Sequence, residues 1–143
     1  MSTPVQTILT TSDVNRIREL LSAEIPVQAE TARAILKETL SRARIVKPEA
    51  VPADVVTLDS RFVFRDEDSG RDRDGWLVSP SHADAATNRM SVLSPLGAVL
   101  FGARVGDSVT WRLPRGGERL VTVTAVLQQP GGFAQEPEQE KWA

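Results

Sequence analysis

Apolar residues recur at helical spacing in the first third of this chain and at alternate positions in the rest. Val14, Ile17 and Leu21, with Leu20 beside them, mark one face of a first helix, and Ser12 or Asp13 is suited to cap its start. Pro26 closes that run, because proline disfavours a helical residue before it. A second helix is predicted from Val27 or Gln28 to Arg44. Ala32, Ile35, Leu36, Thr39, Leu40 and Ala43 form its apolar stripe, and Arg33, Lys37, Glu38 and Arg42 lie outside it. Two helices joined by a short loop pack as an antiparallel hairpin. The pattern leaves open whether that hairpin projects or lies on the rest of the molecule.

Near Lys47-Pro48 the period changes from helical to that of strands. Val55 to Leu58 and Arg61 to Arg65 read as two strands, followed by a charged, glycine-bearing connection from Asp66 to Gly75. Trp76 to Ser79 is the next strand, closed by Pro80, and Met90 to Leu93 follows a polar loop that holds a helical turn near Ala83 to Ala86. Ser94 then serves as N-cap, with Pro95 at the first helical position, where only an orphan amide is lost. Leu96, Val99 and Leu100 form the apolar face of this short helix, and Gly102 suits the left-handed position after it. Ser108 to Leu113 and Arg119 to Val126 are the last strands, joined through Pro114 to Gly117. The class is α+β. Three segments are expected: a short helical hairpin over 1–47, a sheet domain over 48–130 and a flexible polar tail over 131–143.

Composition narrows the chemistry. The 143 residues hold no cysteine and a single histidine, which removes disulfides, thiolate metal sites and His-rich zinc constellations. No apolar run approaches the roughly 20 residues that cross a bilayer, and the first residues lack a secretory leader, so a cytoplasmic location is expected. Net charge is −2, unlike the concentrated basic surface of a nucleic-acid binder. From Met1 to Lys47 seven Lys/Arg face five Asp/Glu, and from Pro48 onward ten face fourteen. No direct sequence-specific contact with nucleic acid is expected.

Catalytic constellations are scarce. His82 lies in a polar loop without a serine nucleophile motif to serve. Asp66-Glu67-Asp68, with Asp72 and Asp74, lacks the closing glutamate and flanking helices of a calcium loop. Pro114-Arg115-Gly116-Gly117 has neither the spacing nor the Lys of a phosphate loop. The reading is of a protein that is not an enzyme and needs no metal or cofactor.

The stretch from Met90 to Val109, with Ser94-Pro95-Leu96-Gly97, Gly102 and Gly106-Asp107, resembles the S-P-x-G and G-D pattern of the C-terminal domain of the Gre transcript-cleavage factors and the related Rnk proteins. Val55 to Arg61 resembles the segment that opens those domains. Arg42-Ala43-Arg44, Pro48-Glu49 and Pro52 to Thr57 are closer still to the Rnk branch. The resemblance covers about residues 8–128. It implies an FKBP-like antiparallel sheet with one short helix, preceded by a short coiled-coil hairpin. It also implies a partner, bacterial RNA polymerase, whose secondary-channel rim the C-terminal domain grips while the hairpin points into the channel. Ser94, Pro95 and Leu96 match the segment presented to polymerase, with Phe101 as a further apolar anchor.

The hairpin bend departs from the cleavage factors. They carry a D-x-x-E-N acidic tip that helps hold a metal ion, for which close hard oxygen ligands are needed. Here Glu24 and Glu30 stand either side of Pro26 and do not reproduce that spacing. The expectation is a non-enzymatic transcription regulator that competes with Gre-type factors without stimulating cleavage. The alternatives are a cleavage factor using Glu24 or Glu30, a prolyl isomerase of the FKBP kind, and a regulator linked to nucleoside diphosphate kinase through another protein.

Overall fold

The structure is a computed structural model and describes residues 7–113 and 116–130. The tail expected over 131–143 lies outside the described residues. Strand β1 (Ile8–Thr10) leads into helix α1 (Thr11–Ser22), which Thr10 caps by accepting the Asp13 N–H at 3.0 Å. The cap therefore falls two residues before Ser12 and three before Asp13; the Ser12 hydroxyl lies 3.3 Å from the capping Thr10 Oγ1, and the Asp13 carboxylate turns to the Leu58 N–H. Val14, Ile17 and Leu21 are buried along one face of α1 as their spacing requires. The second helix is shorter than predicted. Val27–Ala29 forms a 3-10 turn after Pro26, α2 runs Glu30–Arg42, and Ala43 is already extended. Its stripe holds, with Ala32, Leu36 and Thr39 buried. Strand β2 (Arg44–Val46) then lies parallel to β1, so the chain enters α1 and leaves α2 side by side.

The second part is a curled five-stranded sheet in the order β5-β4-β3-β7-β6. Its strands are β3 (Arg61–Asp66), β4 (Arg71–Val78), β5 (Arg89–Ser91), β6 (Ser108–Arg112) and β7 (Glu118–Gln128). β4 and β5 pair in parallel, so the sheet is mixed and not wholly antiparallel as expected. The charged connection is shorter than its composition suggested: β3 and β4 stay paired out to Asp66 and Arg71, with cross-strand ion pairs Arg65–Asp72 at 3.0 Å and Arg61–Asp74 at 2.8 Å. Helix α3 (Pro95–Leu100) packs between α2 and the sheet.

Val55 to Leu58 is not a strand. Ser60 accepts the Thr57 N–H at 2.8 Å on its Oγ and donates its own N–H to Thr57 O, closing a turn in which Asp59 adopts φ 65°. All four residues are nonetheless buried, and the Val56 backbone bonds Ala103 O and Gly102 N–H. One apolar cluster runs through both parts, joining Leu9, Ile17 and Leu36 from the helical part to Val56, Leu58, Phe62, Leu100 and Phe101. Among the described residues no helix is long and apolar enough to cross a membrane.

Candidate docking groove

Residues directly opposite one another on paired strands share a face. Phe62 faces Gly75 and Phe64 faces Arg73, while Val109 faces Val121 and Trp111 faces Arg119. Phe62, Leu77, Val121 and Val123 are buried under the helices, so this is the inner face. Toward the ends of β3 and β6 it runs out from under α3, and the uncovered part forms a groove of about 750 Å³. Phe64, Arg73 and Trp111 line it from the sheet, Met90 from β5, and Ser94 and Leu96 from the start of α3.

Ser94 is held at the lip of the groove. Its Oγ donates to Ser91 O at 2.7 Å and accepts the Gly97 N–H at 3.0 Å, so it caps α3 as its sequence position predicts. Pro95 occupies the first helical position, and both Pro95 and Leu96 are half-buried. The first turn of α3 sits so close on β5 that a Cβ at Gly97 would lie 2.1 Å from Ser91 O. Gly97 cannot be replaced without moving the helix. Gly102 takes the predicted left-handed conformation, φ 84°.

Phe101, expected as a further apolar anchor, lies inside the molecule. It is 3% exposed and belongs to the core cluster, so it offers no surface to a partner. Glu24 and Glu30 are both exposed near the hairpin bend, where Val27 is 78% exposed. Among the described residues no group of three or more His, Cys, Asp or Glu is placed to hold a metal ion.

Two features were missed in the sequence. Trp111 carries its indole N–H in a buried position with no acceptor among the described residues. Its alternation with Val109 signals an inward face, but not that the ring stands at the edge of the core. The second feature is the seam between the two parts. Asp13, 5% exposed, accepts the Leu58 N–H at 3.0 Å. One turn on, Arg16 reaches Asp59 Oδ2 at 2.8 Å and Ser79 Oγ at 2.7 Å. Burial pushes the Asp13 carboxyl from its ordinary 3.8 up to about 6, against the opposing pull of the Leu58 bond and the Arg16 charge; Asp59 adds to the rise.

A family model described as transcription elongation factor, GreA/GreB, C-term, matches residues 51–128, the stretch that builds the groove. A regulator of nucleoside diphosphate kinase from Escherichia coli (strain K12) is 38% identical over 123 residues, 86% of this chain and 90% of that protein. Transcription elongation factor GreA from Rhodospirillum rubrum is 34% identical over 91 residues, 64% of this chain but only 57% of its own length. A solved structure of a prokaryotic transcription elongation factor GreA/GreB from Nitrosomonas europaea matches with a TM-score of 0.71 at 31% identity, covering 87% of this chain and 100% of that one.

Proposed function

Because the chain belongs to the family of the regulators of nucleoside diphosphate kinase, whose C-terminal part is that of GreA and GreB, we propose that it regulates transcription by binding RNA polymerase near its secondary channel. The observation that carries this reading is that the family match spans the groove, with Ser94 and Leu96 at its lip and Pro95 between them in the chain. A half-buried leucine beside a fixed helix start provides an apolar anchor that is ordered before binding. In this reading the protein occupies the site of Gre-type factors and competes with them. It does not stimulate cleavage, because Glu24 and Glu30 lack the acidic spacing of a metal-holding tip. The fold is read as FKBP-like in its sheet part, with α1 and α2 as a short coiled-coil hairpin, and the location as cytoplasmic.

Co-elution with core polymerase tests the docking. The parent chain is expected to co-elute, and Leu96→Arg to lose most of that binding while keeping its melting temperature within a few degrees. Ser94→Arg is a harsher variant, since it also removes the cap of α3. Unchanged binding by Leu96→Arg overturns the assignment of this lip. Stalled elongation complexes separate regulator from cleavage factor: the transcript is expected to keep its length when the protein is added. Shortening that Glu24→Gln or Glu30→Gln abolishes would establish the cleavage alternative. The name of the Escherichia coli relative favours a second reading, in which a nucleoside diphosphate kinase is affected through another protein. Recovery of that kinase without polymerase subunits in a pull-down would support it.

A further inference from the structure

The five-stranded sheet has two edges, and they are finished differently. β5 is three residues long, and its outer side is closed where the Asp84 and Arg89 backbones exchange N–H···O bonds of 2.9 Å. β6 has five residues and pairs only with β7, without the usual protections of an edge. It holds no proline or lysine, and its register with β7 is unbroken from Ser108 to Arg112. Its one charge, Arg112, is paired with Glu118 of β7 at 3.6 Å. The Val123 N–H reaches Asp107 O and the Leu113 N–H reaches Gly117 O, both at 3.0 Å. In an antiparallel pair such bonds fall on alternate residues. The odd positions of β6 therefore turn their backbones to β7. Ser108, Thr110 and Arg112, all exposed, turn N–H and C=O away from the sheet.

That free edge lines a cleft of about 570 Å³ between β6 and α2, at the end of α3 opposite the Ser94 and Leu96 lip. Gly106 to Thr110 line it without a gap, as an edge does; a strand face offers only alternate residues. Ile35, Val99, Ala103 and Val109 supply its apolar lining. Four polar side chains of the cleft are committed within the molecule. Thr39 Oγ1 donates to Ile35 O at 3.0 Å, and Asp107 Oδ2 accepts the Arg104 N–H at 3.0 Å. Ser108 Oγ meets Thr122 Oγ1 at 2.8 Å, and Arg42 pairs with Glu38 at 3.3 Å. The open groups are main chain, at Ser108 and Thr110, and main chain is what answers them.

We propose that the free edge of β6 receives an extended segment of a partner protein, apolar at every second residue, which adds a sixth strand to the sheet. Residues of the segment whose backbone faces β6 place their side chains on the outer face beside Ser108 and Thr110. The residues between them lie against Ile35 and Val99 in the cleft. By two-fold symmetry a second copy presenting its β6 would bring its own α2 against the first, whereas a lone strand brings only its side chains. Residues 131–143 of this chain contain Pro137 and no Val, Ile or Thr, which suits them poorly to a strand. The inference is independent of the docking reading above, which uses the start of α3.

The test uses the full chain labelled with nitrogen-15 and the peptide acetyl-Thr-Val-Thr-Val-Thr-amide. With its Thr backbones toward β6, the peptide lays its Val side chains in the cleft. It is expected to shift the Ser108 and Thr110 amides and to slow their exchange with solvent. N-methylation of the central Thr removes a donor that faces β6, and N-methylation of a Val removes one that faces away. The first form is expected to bind about tenfold more weakly than the second. Thr110→Pro removes a free donor and no bond of the β6–β7 ladder, as edge prolines do. It is expected to keep its melting temperature within a few degrees and to lose the peptide. The N-methyl comparison decides the matter even where Thr110→Pro fails to fold. No shift at the solubility limit, or equal weakening by the two methylated forms, overturns the proposal. Slow exchange at Ser108 and Thr110 without peptide also overturns it. If that protection vanishes on dilution the occupant is a second copy, and if it persists the occupant is part of the same chain.

Discussion

Asp13 sits where two demands conflict. The Leu58 amide needs an acceptor inside the seam, and the carboxylate that supplies it must leave water when ionised. Burial wins, and the pKa rises from 3.8 to about 6. The sign follows from linkage: between those values the folded chain holds a proton that the unfolded chain has released, so stability falls as pH rises from about 4 to 6. A shift of this size corresponds to about 3 kcal/mol. Asp13→Asn keeps an oxygen for Leu58 without a titrating charge. It is expected to lack this fall and to be at least as stable as the parent at pH 7.5, by denaturant unfolding across the pH range. Asp13→Ala leaves the Leu58 N–H without a partner and is expected to lose about 1–3 kcal/mol even at pH 4. Parallel pH profiles for the parent and Asp13→Asn would remove Asp13 as the titrating group.

Helix α3 shows how far a short element is legible before its contacts are known. Ser94, Pro95 and Gly102 announce its cap, its first residue and the turn that follows it, and all three stand as their local chemistry requires. What the pattern does not reveal is that Gly97 lets the helix rest on the Ser91 carbonyl, a contact between elements and not a propensity. Gly97→Ala, favourable in an isolated helix, is therefore expected to destabilise the protein by more than about 2 kcal/mol and to weaken any binding at the groove lip. A melting temperature unchanged by Gly97→Ala would show that β5 gives way easily. The same logic explains the misses. β1 and β2 are three residues each, too short for a period, and exist because the chain enters and leaves the helices side by side. Val55 to Leu58 has strand composition, but its apolar residues fill the gap under Ala103 while Thr57 and Ser60 close a turn. Phe101 reads as a surface anchor in sequence and is buried in the core cluster in space. The groove's lip is legible at Ser94 and Leu96; its Arg73 and Trp111 walls come from separate strands and need the register.

At the scale of the molecule, the question is whether 1–47 and 48–130 behave as two domains or as one folding unit. The apolar cluster gives no natural boundary, because Leu9, Ile17 and Leu36 share it with Val56, Leu58 and Leu100. Polar ties reinforce the junction: Arg16 joins α1 to Asp59 at 2.8 Å and to Ser79 at 2.7 Å. These ties are half-exposed, so Arg16→Ala is expected to cost only about 0.2–1 kcal/mol; the shared core carries the coupling. Calorimetry of the full chain is accordingly expected to show one transition whose calorimetric and van't Hoff enthalpies agree. A fragment over 48–130 would expose Val56, Leu58 and Phe101 to water and is expected to melt well below the full chain or to lose fixed tertiary packing. Two separate transitions, or a fragment as stable as the whole, would make the helical part an independent appendage. Its direction relative to the sheet would then be set by the partner and not by the fold.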